Sequence, residues 1–192
     1  MSSIAPRRLT FRLLPRFRRH QGGATAVEFA IVAAPFFAFL MGSLELALAF
    51  WSTQVLETAV ANASRQIYTG QFQTSASNQG LTAAQLQSQF KNLVCSNVSA
   101  LFDCPSQVSV DVQKVSTFSN ATLPSPVNAQ NQYDTSAYGY NAPGPRDIAV
   151  VRASLKYPLY VGRVGQIILN AGTLADGNRL IMATAVFRTE PF

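Results

Sequence analysis

Histidine is nearly missing from this 192-residue chain: there is one, His20, and it stands in a leader that the readings below remove. There is no Gly-x-Ser-x-Gly elbow, no P-loop and no His-based metal motif. Cysteine is limited to Cys95 and Cys104, too few ligands for a metal site without histidine. Asp103, Asp111, Asp134, Asp147 and Asp176 are scattered rather than paired, and are assigned to turns or the surface. These absences argue against an enzyme and predict no catalytic residues, metal, cofactor or small-molecule substrate. Acidic residues are also missing from the start of the chain. Arg7, Arg8, Arg12, Arg16, Arg18 and Arg19 all precede Gly23 and no acid does. They account for the whole net charge of +6, because the rest carries nine bases and nine acids. A neutral body lacks the basic footprint that polyanionic nucleic acid requires, so nucleic-acid binding is excluded.

What the arginines precede explains them. From Ala24 to Trp51 the chain reads ATAVEFAIVAAPFFAFLMGSLELALAFW, with no charge between Phe29 and Leu44. At helical rise Ala26 to Trp51 extends about 39 Å, more than the roughly 30 Å hydrocarbon thickness of a bilayer. The positive-inside rule then holds the N-terminus in the cytoplasm and puts the remainder on the outer side of the inner membrane. Trp51 suits an interfacial anchor. Pro35 would kink a soluble helix but is tolerated in a membrane helix when neighbours packed against it re-satisfy the freed carbonyl, and a bend is expected near it. Glu28 and Glu45 need an explanation, since a carboxylate at mid-bilayer costs about 2.5–3.5 kcal/mol on the translocon scale. Their spacing of about 25 Å would put them near opposite edges of the hydrocarbon. Glu45 is read either as an edge carboxylate or as a packing contact with another transmembrane helix.

The basic stretch followed by Gly22-Gly23, then Ala24-Thr25-Ala26-Val27-Glu28-Phe29, resembles the processing site of type IV prepilins. In that family the leader ends in Gly, cleavage follows it, and a Glu stands fifth in the mature chain. A cut between Gly23 and Ala24 would make Glu28 fifth, with Phe29 where Flp-type prepilins carry Tyr. It would also free an α-ammonium one helical turn from that carboxylate. A secretory signal peptide differs, because its cleavage site follows the apolar core.

The string from Gly23 to about Gln71 resembles the TadE-like family of the tight-adherence (Tad) or Flp pilus machinery. The resemblance is carried by Ala-Val-Glu-Phe-Ala, Pro35, the Gly42 to Leu46 stretch with Glu45, and an Ala-rich helix ending at Arg65. The ending MATAVFRTEPF also looks like that of the family. What the resemblance implies is a minor pseudopilin or pilus-assembly protein, processed by a prepilin peptidase. It would assemble with other pilins or pseudopilins through Glu28 and Phe29.

Past Trp51, Leu56, Ala59, Val60, Ala63 and Ile67 recur at spacings of three and four, which predicts that the helix runs to about Tyr68. Gln71 to Gly80 is read as a loop. Thr82 caps a second helix ending near Cys95. An outward-facing head lies in an oxidising compartment, so Cys95 and Cys104 are expected to form a disulfide. Val108, Val110 and Val112 alternate with polar residues and predict a strand; Ile148 to Tyr157 and Leu180 to Thr189 are two more. Between the first two, Ser116 to Pro145 reads as an exposed loop with Tyr133, Tyr138 and Tyr140. Val164 to Leu169 is read as a short helix. Sequons at Asn62, Asn97 and Asn120 are treated as chance.

The predicted protein is α+β and membrane-anchored, laid out like a pilin. Residues 1–23 form the leader, 24–51 the transmembrane helix and 52–71 its periplasmic extension. Residues 72–192 form a head with a roughly three-stranded antiparallel sheet and a long loop at 116–147. Two rivals are an envelope binding module or adhesin unrelated to pili, and an organellar inner-membrane protein. Pro6 and Pro15 would break the amphipathic helix that an import signal needs.

Overall fold

A computed structural model describes residues 22–96, 98, 102–118, 123–160 and 172–192. The predicted leader up to residue 21, the short helix expected at Val164 to Leu169 and the sequons at Asn97 and Asn120 lie outside the described residues. The chain is α+β. Helix α1 (Gly22–Tyr68) is followed by a one-turn helix α2 (Gln71–Thr74), a 3-10 turn (Ala76–Asn78), α3 (Ala83–Ser96) and the short α4 (Cys104–Gln107). Three strands follow, β1 (Val108–Val115), β2 (Ile148–Tyr157) and β3 (Arg179–Arg188). The described residues from Gly22 to Met41 belong to a first unit, and Gly42–Phe192 forms a second, compact one.

The second unit is an antiparallel sheet of order β1-β2-β3 with helices on one face. Register brings Val110 opposite Ala153 and Val112 opposite Val151. On the other side of β2, Ala153 faces Ala183 and Leu155 faces Ile181. Because strand side chains alternate, these residues share one face. They join Leu56, Val60, Ala63 and Ile67 of α1, and Phe90 and Val94 of α3, in a single core. Every side chain of β2 except Lys156 is buried. A central strand covered on both faces has this pattern, which is why Ile148 to Leu155 reads as a nearly continuous apolar run broken only by Arg152 and Ser154.

Local signals account for the helix ends. Helix α1 stops because Gly70 is left-handed (φ 74°), and a side chain there would run into the Phe192 ring. Thr82 and Gln85 form a capping box for α3: the Thr82 N–H donates to Gln85 Oε1 (2.9 Å), and the Gln85 N–H donates to Thr82 Oγ1 (3.4 Å).

Two expectations need correction. Gln71 to Gly80 is not simply a loop, because Phe72 is buried between Phe90 and Tyr140, each with ring centroids 5.6 Å away. That anchor holds the chain in helical turns. The segment after β1 is irregular but not an exposed loop: Tyr138 and Tyr140 are buried. Gly139 to Asn141 runs along the edge of β1, with Val112 N–H donating to Gly139 O (2.9 Å) and Asn141 N–H to Val112 O (2.8 Å). The edge of the sheet gains a short parallel bridge, which satisfies backbone groups that would otherwise be open.

Cys95 and Cys104 are joined, with Cα atoms 5.6 Å apart, tying the end of α3 to α4. Reducing this disulfide in the detergent-solubilised protein is expected to lower unfolding stability by about 2.5–3 kcal/mol, the chain-entropy value for so short a ring. Denaturant midpoints measured with and without reductant check it, with the Cys95→Ser/Cys104→Ser double variant as the control.

Candidate functional site on the long helix and the sheet behind it

The first unit consists, in its described part, of the helical turns from Gly22 to Met41. Its side chains point outward all round: Val27, Phe29, Ile31, Val32, Phe36, Phe37 and Phe39 are each at least half exposed. Glu28, also exposed, is the only charge between Gly22 and Met41. A helix apolar on every side is stable only where something other than water surrounds it. α1 is the one described helix long and apolar enough to cross a membrane. It continues through Pro35, which lies inside it. At Gly23 the backbone is not left-handed and an added Cβ would meet nothing within 4 Å, so the fold has no steric need for glycine there.

From Gly42 the same helix changes character. Gly42, Glu45, Ala49, Ser52, Leu56, Ala59, Ala63 and Ile67 are buried at spacings of three and four, one stripe along one face. Glu45 is 4% exposed, and its Oε2 accepts a hydrogen bond from the Tyr160 backbone N–H (3.0 Å). Within its own unit, then, Glu45 has a partner 115 residues away in the chain. Nearby, burial and then the Glu45 carboxylate push the Tyr157 hydroxyl above its usual range. Ser52 avoids an unpaired hydroxyl by donating back to Leu48 O (2.9 Å).

The other face of the sheet holds a polar arrangement that sequence reasoning missed. Asp111 of β1 and Arg152 of β2 are directly opposite each other and form a buried ion pair, with side chains 0% and 6% exposed. Arg152 Nε donates to Asp111 Oδ2 (3.1 Å), and Nη2 bonds to the same oxygen. Asp111 Oδ1 accepts from Gln113 Nε2 (2.7 Å) and from the Gly139 N–H (3.1 Å). Arg152 Nη1 donates to Pro124 O (2.9 Å), and the guanidinium lies 5.1 Å from the centroid of Tyr138. Tyr133 adds a hydroxyl contact to Ser154 Oγ (2.9 Å). The segment between β1 and β2 is thus held to the sheet by one charge pair and its neighbours.

Asp111, expected with the other aspartates at a turn or on the surface, is instead fully buried within the sheet. The signal that could have found the pair is Arg152 itself: a charge inside an otherwise apolar strand requires an opposite charge beside it. The remaining aspartates fit the assignment. The Lys114 ammonium and then the Gly144 N–H hold Asp147 below the usual carboxylate range, and Lys156 does the same for Asp176. Asp134 is lowered by the Ser136 N–H. Asp103 accepts from Ser106 Oγ at the start of α4. Among the described residues no three His, Cys, Asp or Glu side chains cluster as a metal site would need.

Residues 23–65 match the model of the family described as TadE-like protein. The match begins at Gly23 and lies wholly within α1; it stops short of Gln71 and does not include the ending MATAVFRTEPF. No curated protein and no solved structure matches the chain.

Removing one partner of the buried pair, as in Asp111→Ala, leaves the Arg152 charge buried and is expected to cost about 3–5 kcal/mol. The double variant Asp111→Leu/Arg152→Met is expected to recover most of that loss. Denaturant unfolding of the three proteins checks the energies, and limited proteolysis between residues 123 and 147 checks that the segment is what comes loose.

Proposed function

We propose that this chain with a TadE-like amino-terminal helix is a minor pseudopilin or pilus-assembly protein of the Tad system. In this reading a prepilin peptidase removes the leader between Gly23 and Ala24, and the protein assembles through its first helical turns. The observation that carries the proposal is the exposed helix from Val27 to Met41, apolar on all sides, with Glu28 as its one charge. A span that only anchored the head would be cheaper without a carboxylate in it. A carboxylate one turn from a newly freed α-ammonium can instead pair with a neighbouring subunit's amine where water is scarce. Phe29, 71% exposed, stands beside it as apolar contact surface.

Gly23 supports the same reading. With open space around it and ordinary helical backbone, glycine there is explained better by recognition in a peptidase than by packing. Pro35 leaves the Ile31 carbonyl without its usual helical donor, a group that a neighbouring helix can satisfy in the bilayer. The topology that follows has the arginines in the cytoplasm and Gly42–Phe192 largely on the periplasmic side. The Cys95–Cys104 disulfide suits that compartment. The protein acts in this reading by contact, priming, capping or regulating a filament, with no reaction of its own.

Amino-terminal sequencing of the mature protein from cells with an active prepilin peptidase is expected to begin at Ala24; a start at any other residue refutes the processing step. Glu28→Ala is expected to insert in the membrane as the parent does, yet to lose co-purification with pilin and pseudopilin subunits. Unchanged association of that variant would remove Glu28 from the assembly contact.

A further inference from the structure

The bond between Glu45 and Tyr160 fixes the depth of one corner of the second unit. Tyr160 donates its backbone N–H to a carboxylate six residues before Trp51 on α1, a distance of about 9 Å along the helix. Over those same turns the opposite side of α1 is apolar and open: Leu44, Phe50 and Trp51 are 51%, 68% and 53% exposed. Polar residues take over that side only from Gln54 and Glu57. The outward face therefore calls for non-aqueous surroundings up to Trp51, while the inward face is already covered by Tyr160 at Glu45. A head resting wholly above the bilayer does not satisfy both faces at once.

We infer that the corner at Tyr160 is seated in the outer headgroup zone of the bilayer, a lipid contact that accompanies the span and rests on the membrane reading above. Helix length agrees: Ala24 to Glu45 rises about 32 Å, close to the roughly 30 Å of hydrocarbon, so Glu45 falls at its outer boundary and Trp51 within or just beyond the headgroups. Tyr160 is chemically suited to that layer. The residue is 62% exposed, and its ring is braced edge-on against Tyr157 (5.7 Å between centroids) and carries a hydroxyl that can stay hydrated. The corner also gives Glu45 a backbone donor and hides it from lipid, which is how a carboxylate is tolerated in that part of the helix.

Full-length protein carrying Tyr160→Cys can be labelled with an environment-sensitive fluorophore, because the two native cysteines are joined to each other. In phosphatidylcholine/phosphatidylglycerol vesicles the label at position 160 is expected to shift to the blue. It should lose intensity to nitroxide lipids quenching near the headgroup and resist aqueous iodide. Labels on Val32→Cys and Ser136→Cys report the middle of the span and the exposed part of the head. Failure of deep nitroxides to quench at 32 overturns the membrane reading itself. Quenching at 32 combined with iodide quenching at 160 as strong as at 136 overturns the seated corner alone. Protection of 160 from both lipid and aqueous quenchers also overturns it, by showing that protein covers the corner.

Discussion

One stripe of α1, from Gly42 through Glu45, Ala49, Ser52 and Leu56 to Ile67, carries the second unit. Its residues are small or apolar at every buried position except Glu45, and small side chains let neighbouring elements approach a helix closely. The sheet presents Val110, Val112, Val151, Ala153, Leu155, Ile181 and Ala183 to the same core, and α3 closes it with Phe90 and Val94. Glu45 fits the stripe because the chain at Tyr160 returns a backbone N–H to it. A buried carboxylate without such a donor would oppose the packing around it.

The far face of the sheet follows a different logic. A three-stranded sheet with helices on one side leaves the other side open, and here the segment between β1 and β2 crosses over it. Backbone hydrogen bonds from Val112 and Asn141 tie it to the edge strand, and the Asp111–Arg152 pair ties it to the middle. Because both charges are withdrawn from water, their desolvation offsets much of their mutual attraction, so the intact pair adds less net stability than is lost when one partner alone is removed. On β3, Met182 and Val186 are exposed.

The proposed role and the fold meet in how differently α1 is used along its length. Up to Met41 every face is apolar and exposed, which suits lipid and neighbouring helices alike; from Gly42 one face belongs to the protein's own core. In the assembly reading, Glu28 and Glu45 therefore have opposite assignments. Glu28 is open and offered to a partner's charge, whereas Glu45 is already engaged by its own chain.

Periodicity and composition were enough to find α1 to its end at Tyr68, the second helix with its Thr82 cap, and all three strands to within a few residues, because those signals are local: a repeat of three and four, an alternation of two, a capping side chain. The family match at residues 23–65 was legible for the same reason, since its elements follow one another along a single helix. What only the tertiary structure decided depends on residues far apart in the chain. Nothing near Phe72 announces that Phe90 and Tyr140 will enclose it, and the aspartate at 111 looks like any surface aspartate until Arg152 is paired across from it. Glu45 is the sharpest case: its helix position was evident from its neighbours in sequence, but its partner, 115 residues later, became visible only when the strand before Tyr160 was folded back against the helix.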